Sequence, residues 1–225
     1  MKLKIAIDGP SGSGKSTLAK NIARALGLVY VDTGALYRTV GLYASRCGIA
    51  IDAAAKVAVL LDGARVSLRY SDGTQRVYLG DEDVTELIRT PEISMYASAV
   101  SKVSAVRKYL LEVQKKMASE GGVVMDGRDI GTVIMPDADV KLFMDTDMQT
   151  RAQRRYEEMS QKGIESTKEE VLRDMVRRDK NDSERDISPL TPADDAIFLD
   201  NSRMEPEETL AAALKIINDR LSRSI

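Results

Sequence analysis

A short apolar run, Leu3 to Ile7, breaks into glycines at Asp8-Gly9-Pro10-Ser11-Gly12-Ser13-Gly14-Lys15-Ser16-Thr17 and passes straight into a helical pattern. Leu18, Ile22, Ala25 and Leu26 recur at helical spacing until Gly27 ends it. No other feature constrains the fold as strongly. A second apolar run, Leu28 to Val31, follows at once, so the two strands are expected side by side and parallel, joined by a right-handed crossover.

Gly9, Gly14, Lys15 and Ser16 fit G-x-x-x-x-G-K-[ST], the pattern of a phosphate-binding loop. Small residues let backbone N–H groups from Gly9 to Thr17 curl around the phosphates of a nucleoside triphosphate. Lys15 supplies a point charge to the β/γ-phosphates, and Ser16 is placed to put its hydroxyl on Mg²⁺. The plain alternative is a Gly/Ser-rich turn, but the strand before it and the helix after it argue against that. The loop does not reveal the acceptor, since motors, switches and kinases all use it.

Composition removes several classes. The 225 residues contain no histidine and a single cysteine, Cys47. Histidine-dependent hydrolases, histidine-ligated metals, internal disulfides and cysteine zinc cages are therefore excluded. Cys47 is expected to be a small buried hydrophobe in a reducing compartment. With 33 basic and 35 acidic residues the net charge is −2, which gives no support for a nucleic-acid or anionic-membrane surface. The immediate entry into a strand and the lack of an apolar stretch of ~18 residues lead to the expectation of a soluble, cytoplasmic protein.

Along the chain, the second strand delivers Asp32-Thr33-Gly34 to the carboxyl edge where ligands of such sheets sit. Ala35 to Cys47 is helical in pattern, and Arg38 is a candidate clamp for a second phosphate. A further helix is expected over Ala53 to Leu61. Arg65 to Tyr70 and Gln75 to Leu79 then alternate polar and apolar residues about a turn at Ser71 to Thr74, which predicts a half-exposed hairpin in an insert over residues 63–90. Thr90-Pro91 opens one helix, and another runs from about Ser104 to Ser119. Val123 to Met125 is a third core strand, and it leads to Asp126-Gly127-Arg128-Asp129-Ile130-Gly131-Thr132. Asp126 is either a Walker B-like acid that holds Mg²⁺ through water or a strand-end cap.

A fourth strand, Val140 to Met144, ends in the capping cluster Asp145-Thr146-Asp147. Residues Arg151 to Asp186 carry ten basic and ten acidic residues, a solvated helical pair. Within it Arg151, Arg154 and Arg155 stand at i, i+3 and i+4, so residues 151–163 are expected to form a lid that brings cations to a triphosphate. Thr167 to Glu170 is a capping box. Ile197 to Leu199 is a fifth strand, and Pro206 to Leu221 a closing helix. The expectation is one α/β domain over residues 1–225: a doubly wound five-stranded parallel sheet with a small antiparallel insert and an arginine-rich helical lid.

The motifs Asp8 to Ser16, Val31 to Arg38 and Asp126 to Thr132, with the ending Ser188 to Asp194, closely resemble the bacterial cytidylate kinases, P-loop nucleoside monophosphate kinases, over essentially the whole chain. The resemblance implies transfer of phosphate from MgATP to CMP or dCMP by a monomer. It implies that Ser98, Arg107 and Asp129 read the cytosine, that Arg178 and Asp182 address the sugar, and that Arg38, Arg128 and Arg185 hold the CMP phosphate. Thr33, where the family often has serine, lies beside that phosphate. Charge at the moving phosphoryl group then falls to Lys15, Arg128, Arg154 and Arg185, with Mg²⁺ on Ser16. Two rivals remain at this stage. One is a kinase of a small hydroxyl substrate, such as shikimate or a sugar, with Asp32 as base; the other is an ATP-binding sensor without transfer.

Overall fold

A computed structural model of the chain describes residues 2–71 and 74–222. In chain order it contains β1 (Lys4–Asp8), α1 (Lys15–Leu26), β2 (Val29–Asp32), α2 (Thr33–Arg46), β3 (Val66–Ser71), β4 (Thr74–Leu79) and β5 (Glu82–Asp83). Then come α3 (Pro91–Val100), α4 (Ser104–Ser119), β6 (Val123–Gly127), β7 (Val140–Met144), α5 (Met148–Gln161), α6 (Lys168–Ser183), β8 (Ile197–Leu199) and α7 (Pro206–Ser222). The chain divides into two compact units, Met1–Tyr30 with Glu120–Ile225, and Val31–Ser119.

The first unit is built on the expected five-stranded parallel sheet, in the order β2-β6-β1-β7-β8. β1 is central, with Ile7 opposite Asp126 and Asp8 opposite Gly127 on one side, and Asp8 opposite Phe143 on the other. This register brings the ends of β1, β6 and β7 to one edge, so the phosphate loop, the turn after Gly127 and the Asp145 cluster emerge together. Ile5, Ile7, Val124, Leu142 and Met144 form one core with Leu18 and Ile22 of α1 and Ala213 and Ile217 of α7. Each large aliphatic side chain fully buried there contributes about 1.5–3 kcal/mol. α1 buries Leu18, Ala19, Ile22 and Ala23. Ala25, expected on that face, is exposed, and Ala23 takes its place. α5 and α6 pack on each other through Ala152, Met159, Val171 and Met175.

The second unit gathers α2, α3, α4 and the three-stranded antiparallel sheet β3-β4-β5 around Leu36, Val40, Val77, Ile88 and Leu110. The hairpin pairs from Val66 opposite Leu79 to Ser71 opposite Thr74. Its alternation is as expected, since Val66 and Val77 are buried while Arg69 and Arg76 face out. The tip of the expected turn, Asp72-Gly73, lies outside the described residues. The helix expected over Ala53 to Leu61 is present as a 3-10 helix over Ile51–Gly63, with a kink at Ala53. In this unit one expectation is corrected. Cys47 is exposed, because it caps α2 one residue beyond the helix, after Ala44 has completed the buried stripe. Thr90 caps α3 through Ile93 N–H with Pro91 at the first position, and the Thr167 capping box of α6 is complete. Among the described residues no helix is long and apolar enough to cross a membrane.

Candidate active site

Three carbonyls of the phosphate loop are engaged by side chains, one from the loop itself and two from outside it. Lys15 Nζ donates to the Pro10 carbonyl at 2.8 Å, Arg151 Nη1 to the Ser11 carbonyl at 3.0 Å, and Asn201 Nδ2 to the Ser13 carbonyl at 3.2 Å. Thr146 in turn donates its hydroxyl to Asn201 Oδ1. With those carbonyls engaged, the N–H groups of the loop are the part of its backbone suited to an anion, and the N-terminus of α1 adds its dipole. Gly14 leads into that helix with φ 84°, a left-handed conformation that glycine adopts without strain. At Gly9 a side chain has no room, because a Cβ would lie 2.8 Å from the Met144 carbonyl oxygen.

Lys15 is buried, and burial pushes its ammonium down to about 7; the nearby Arg128 cation pushes the same way, while Asp126 and Asp182 oppose it. The depressed value marks a cation that a bound polyanion would restore. Ser16 donates its hydroxyl to Asp126 Oδ2 at 2.7 Å, and Tyr30 donates to Asp126 Oδ1 at 2.8 Å. This donor set fits a hard divalent cation: a hydroxyl whose one proton is spent on a carboxylate keeps its lone pairs for the metal.

Asp8 fastens the next motif to the loop. Its carboxylate accepts from Ile130 N–H at 2.9 Å and Gly131 N–H at 2.8 Å. Burial raises it to about 6 in spite of these two bonds, which pull the other way. The tether fixes Arg128 and Asp129 at the edge of the sheet. Arg128 Nε donates to Asp182 Oδ2 at 2.6 Å, Arg185 Nη1 lies 4.0 Å from Asp182 Oδ1, and Arg185 Nη2 lies 3.6 Å from Asp129 Oδ1. Four of the expected acceptor-side residues of this unit thus form one charged cluster, in which Asp129, Asp182 and Arg185 are buried. Burial works against both charges of the central pair. Even so, Asp182 holds the Arg128 guanidinium above its ordinary value, and Arg128 holds Asp182 below its own. Arg178 is near enough for its charge to lower both Lys15 and Asp182.

The three arginines of the expected lid share a helix but not a target. Arg151 is buried, donating through Nε to the Thr146 carbonyl at 2.9 Å and through Nη1 to Ser11 and, at 2.6 Å, to Asp179. Arg154 Nη2 donates to the Asn201 and Met204 carbonyls at 2.8 and 3.2 Å. Arg155 pairs with Glu158. Arg151 is thus a strut beneath the phosphate loop. Its role, like those of Thr146, Asn201 and Tyr30, is absent from the motifs.

In the second unit, Asp32 caps α2 by accepting from Ala35 N–H at 2.9 Å, and its other oxygen accepts from Arg38 Nη2 at 2.8 Å. Arg38 Nε is buried and has no hydrogen-bond partner in the structure. Thr33 is buried at the first turn of the same helix. The Asp32 N–H donates to Gln75 Oε1 at 3.0 Å, which ties the hairpin to this turn. Ser98 and Arg107 are buried about the junction of α3 and α4, where Ser101 donates to the Ser98 carbonyl and the Arg107 guanidinium stands 5.6 Å from the Tyr37 ring centre. Among the described residues no group of three or more Cys, Asp or Glu side chains is arranged to hold a metal alone.

Comparison with known proteins agrees with this geometry. The family model described as cytidylate kinase matches residues 5–219. The cytidylate kinase of Geobacter sulfurreducens is 47% identical over 218 residues, covering 97% of this chain and 94% of that protein. That of Caldicellulosiruptor bescii is 44% identical over 215 residues, covering 96% and 95%. Among solved structures, shikimate kinase from Bacteroides thetaiotaomicron matches with a TM-score of 0.50 at 11% identity, covering 97% of this chain and 99% of that one, a likeness of fold alone. Motif order, register at the sheet edge and near-full-length similarity converge, and the chain belongs to the cytidylate kinase family.

Proposed function

We propose that this enzyme transfers the γ-phosphoryl group of MgATP to CMP or dCMP, giving ADP and CDP or dCDP. The observation that carries the proposal is the charged cluster of Arg128, Asp129, Asp182 and Arg185, three of them buried, on the same sheet edge as the phosphate loop, with more guanidinium than one triphosphate needs. The names of the relatives support CMP as the acceptor.

In this scheme the backbone of Gly9 to Thr17 and the Lys15 ammonium bind ATP. Mg²⁺, held by Ser16 with Asp126 behind it, supplies charge neutralisation to the phosphates when bound. Arg38, Arg128 and Arg185 take the CMP phosphate, with Thr33 beside it; Ser98, Arg107 and Asp129 read the base, and Arg178 and Asp182 the sugar. Lys15, Arg128 and Arg185 stabilise charge during transfer. Arg154 joins them only by giving up the Asn201 and Met204 carbonyls.

A nucleoside monophosphate has its second pKa near roughly 6, so the attacking oxygen is already anionic at neutral pH and needs no base. Asp32 fits that chemistry better than the hydroxyl-substrate alternative, because both of its carboxylate oxygens are engaged, by Ala35 N–H and by Arg38. Cytosine offers an amine donor where uracil offers a carbonyl, so an acidic Asp129 discriminates between them by leaving a buried group unpaired against uracil. The scheme also expects a monomer in the cytoplasm.

An ADP-release assay with MgATP and a panel of CMP, dCMP, UMP, AMP, GMP, shikimate and gluconate tests the proposal. Turnover concentrated on CMP and dCMP is expected. Turnover confined to shikimate or gluconate, or absent throughout, overturns it.

A further inference from the structure

Tyr30 stands outside every motif of the chain, yet its hydroxyl reaches the acid behind Ser16. Its ring packs against the core of the first unit, and the Lys20 ammonium stands 5.7 Å from the ring centre. The position of the ring is therefore set by packing, and the hydroxyl is left for a specific task. It donates to Asp126 Oδ1 at 2.8 Å while Ser16 donates to Oδ2 at 2.7 Å. A carboxylate held at both oxygens has a fixed plane, and a hydroxyl has one proton and two lone pairs.

We propose that Tyr30 is a positioning residue for the metal: by fixing Asp126, it keeps the Ser16 O–H directed at the carboxylate and leaves the Ser16 lone pairs free for the cation. This rests on the MgATP assignment above. Asp126 is the outer partner of Ser16, and partners bonded directly to a ligand are commonly worth about 10- to 100-fold in metal affinity; the Tyr30 hydroxyl sits one hydrogen bond further back and takes the lower end of that range.

The test is calorimetric and needs no turnover. Affinity for the non-hydrolysable analogue AMP-PNP is measured in MgCl₂ and again in EDTA, and the ratio is the gain due to the metal. Tyr30→Phe keeps the ring and its packing. It is expected to leave the EDTA affinity unchanged and to cut the Mg²⁺-dependent gain about tenfold. An undiminished gain overturns the proposal, as does an equal loss with and without Mg²⁺, which would make the hydroxyl a support of loop packing. Ser16→Ala separates the two levels of inference. If it abolishes the gain, the metal assignment stands and Tyr30→Phe decides the new one; if it retains the full gain, Ser16 is not a ligand and the assignment beneath fails.

Discussion

Arg151 offers the sharpest test, because the two roles open to it make opposite demands on the protein without nucleotide. A lid arginine waits in solvent and acts only when ATP arrives; a strut is part of the resting structure. Arg151 is buried, and its guanidinium makes three bonds, to the Thr146 carbonyl, the Ser11 carbonyl and Asp179. The Asp179 side chain is itself only 18% exposed, and its Oδ1 has no hydrogen-bond partner in the structure. Arg151→Met keeps the length of the side chain and removes every donor. A buried charge pair broken on one side costs about 3–5 kcal/mol, since the remaining carboxylate stays desolvated. At about 2–4 °C per kcal/mol for a chain of this size, the melting midpoint should fall by roughly 10 °C. Replacing both members, Arg151→Met with Asp179→Leu, removes the stranded charge and should recover most of the loss. Thermal unfolding followed by circular dichroism, without nucleotide, reads all three proteins. A single variant within about 1 kcal/mol of the parent, with only kcat reduced, would refute the strut and return Arg151 to the lid.

Three further outcomes are expected. The Lys15 pKa of about 7, against 10.5 for a free side chain, means that the unfolded chain binds more protons between those values, so the stability this group contributes rises as pH climbs through that window and is lowest below it. A bound triphosphate restores the charge. ATP binding near pH 8 should therefore take up protons, seen as a binding enthalpy that changes between phosphate and Tris buffers; no such change would refute the account. The Ser13 hydroxyl belongs to a residue with no exposed surface and has no hydrogen-bond partner, so Ser13→Ala should stabilise the protein by about 1 kcal/mol in urea unfolding with the ATP KM unchanged, and a loss of stability would contradict this. Asp129→Asn should lower kcat/KM for CMP and narrow the CMP-to-UMP ratio; an unchanged ratio would remove Asp129 from base reading.

What was legible in the sequence is local in its physics. The phosphate loop, the apolar strands, the Asp147 and Thr167 caps and the Thr90-Pro91 helix start each depend on residues within a few positions of one another, and all stand where the pattern put them. The arginines of α5 are different. Their spacing puts them on one helix, but where each guanidinium goes depends on Asp179, 28 residues away, and on the Asn201 carbonyl, 47 away. Asn201 reaches the Ser13 carbonyl across 188 residues, and no periodicity carries that information. Cys47 was misjudged for a related reason: small apolar character says nothing about where a helix face ends.

The path of the chain through β2 and β6 has a consequence for how this protein changes. The second unit begins just after Tyr30 and returns at Glu120, and the strands at its two junctions are neighbours in the sheet, where Val29 N–H donates to the Gly122 carbonyl at 2.8 Å. For a segment that departs and comes back at adjacent points the closure entropy grows only slowly with length, about 0.6 kcal/mol for each doubling. Changes of length beyond the end of β2, between Thr33 and Ser119, therefore leave every strand of the parallel sheet in place. Insertions in that segment lengthen one excursion and leave the order of the strands as it is.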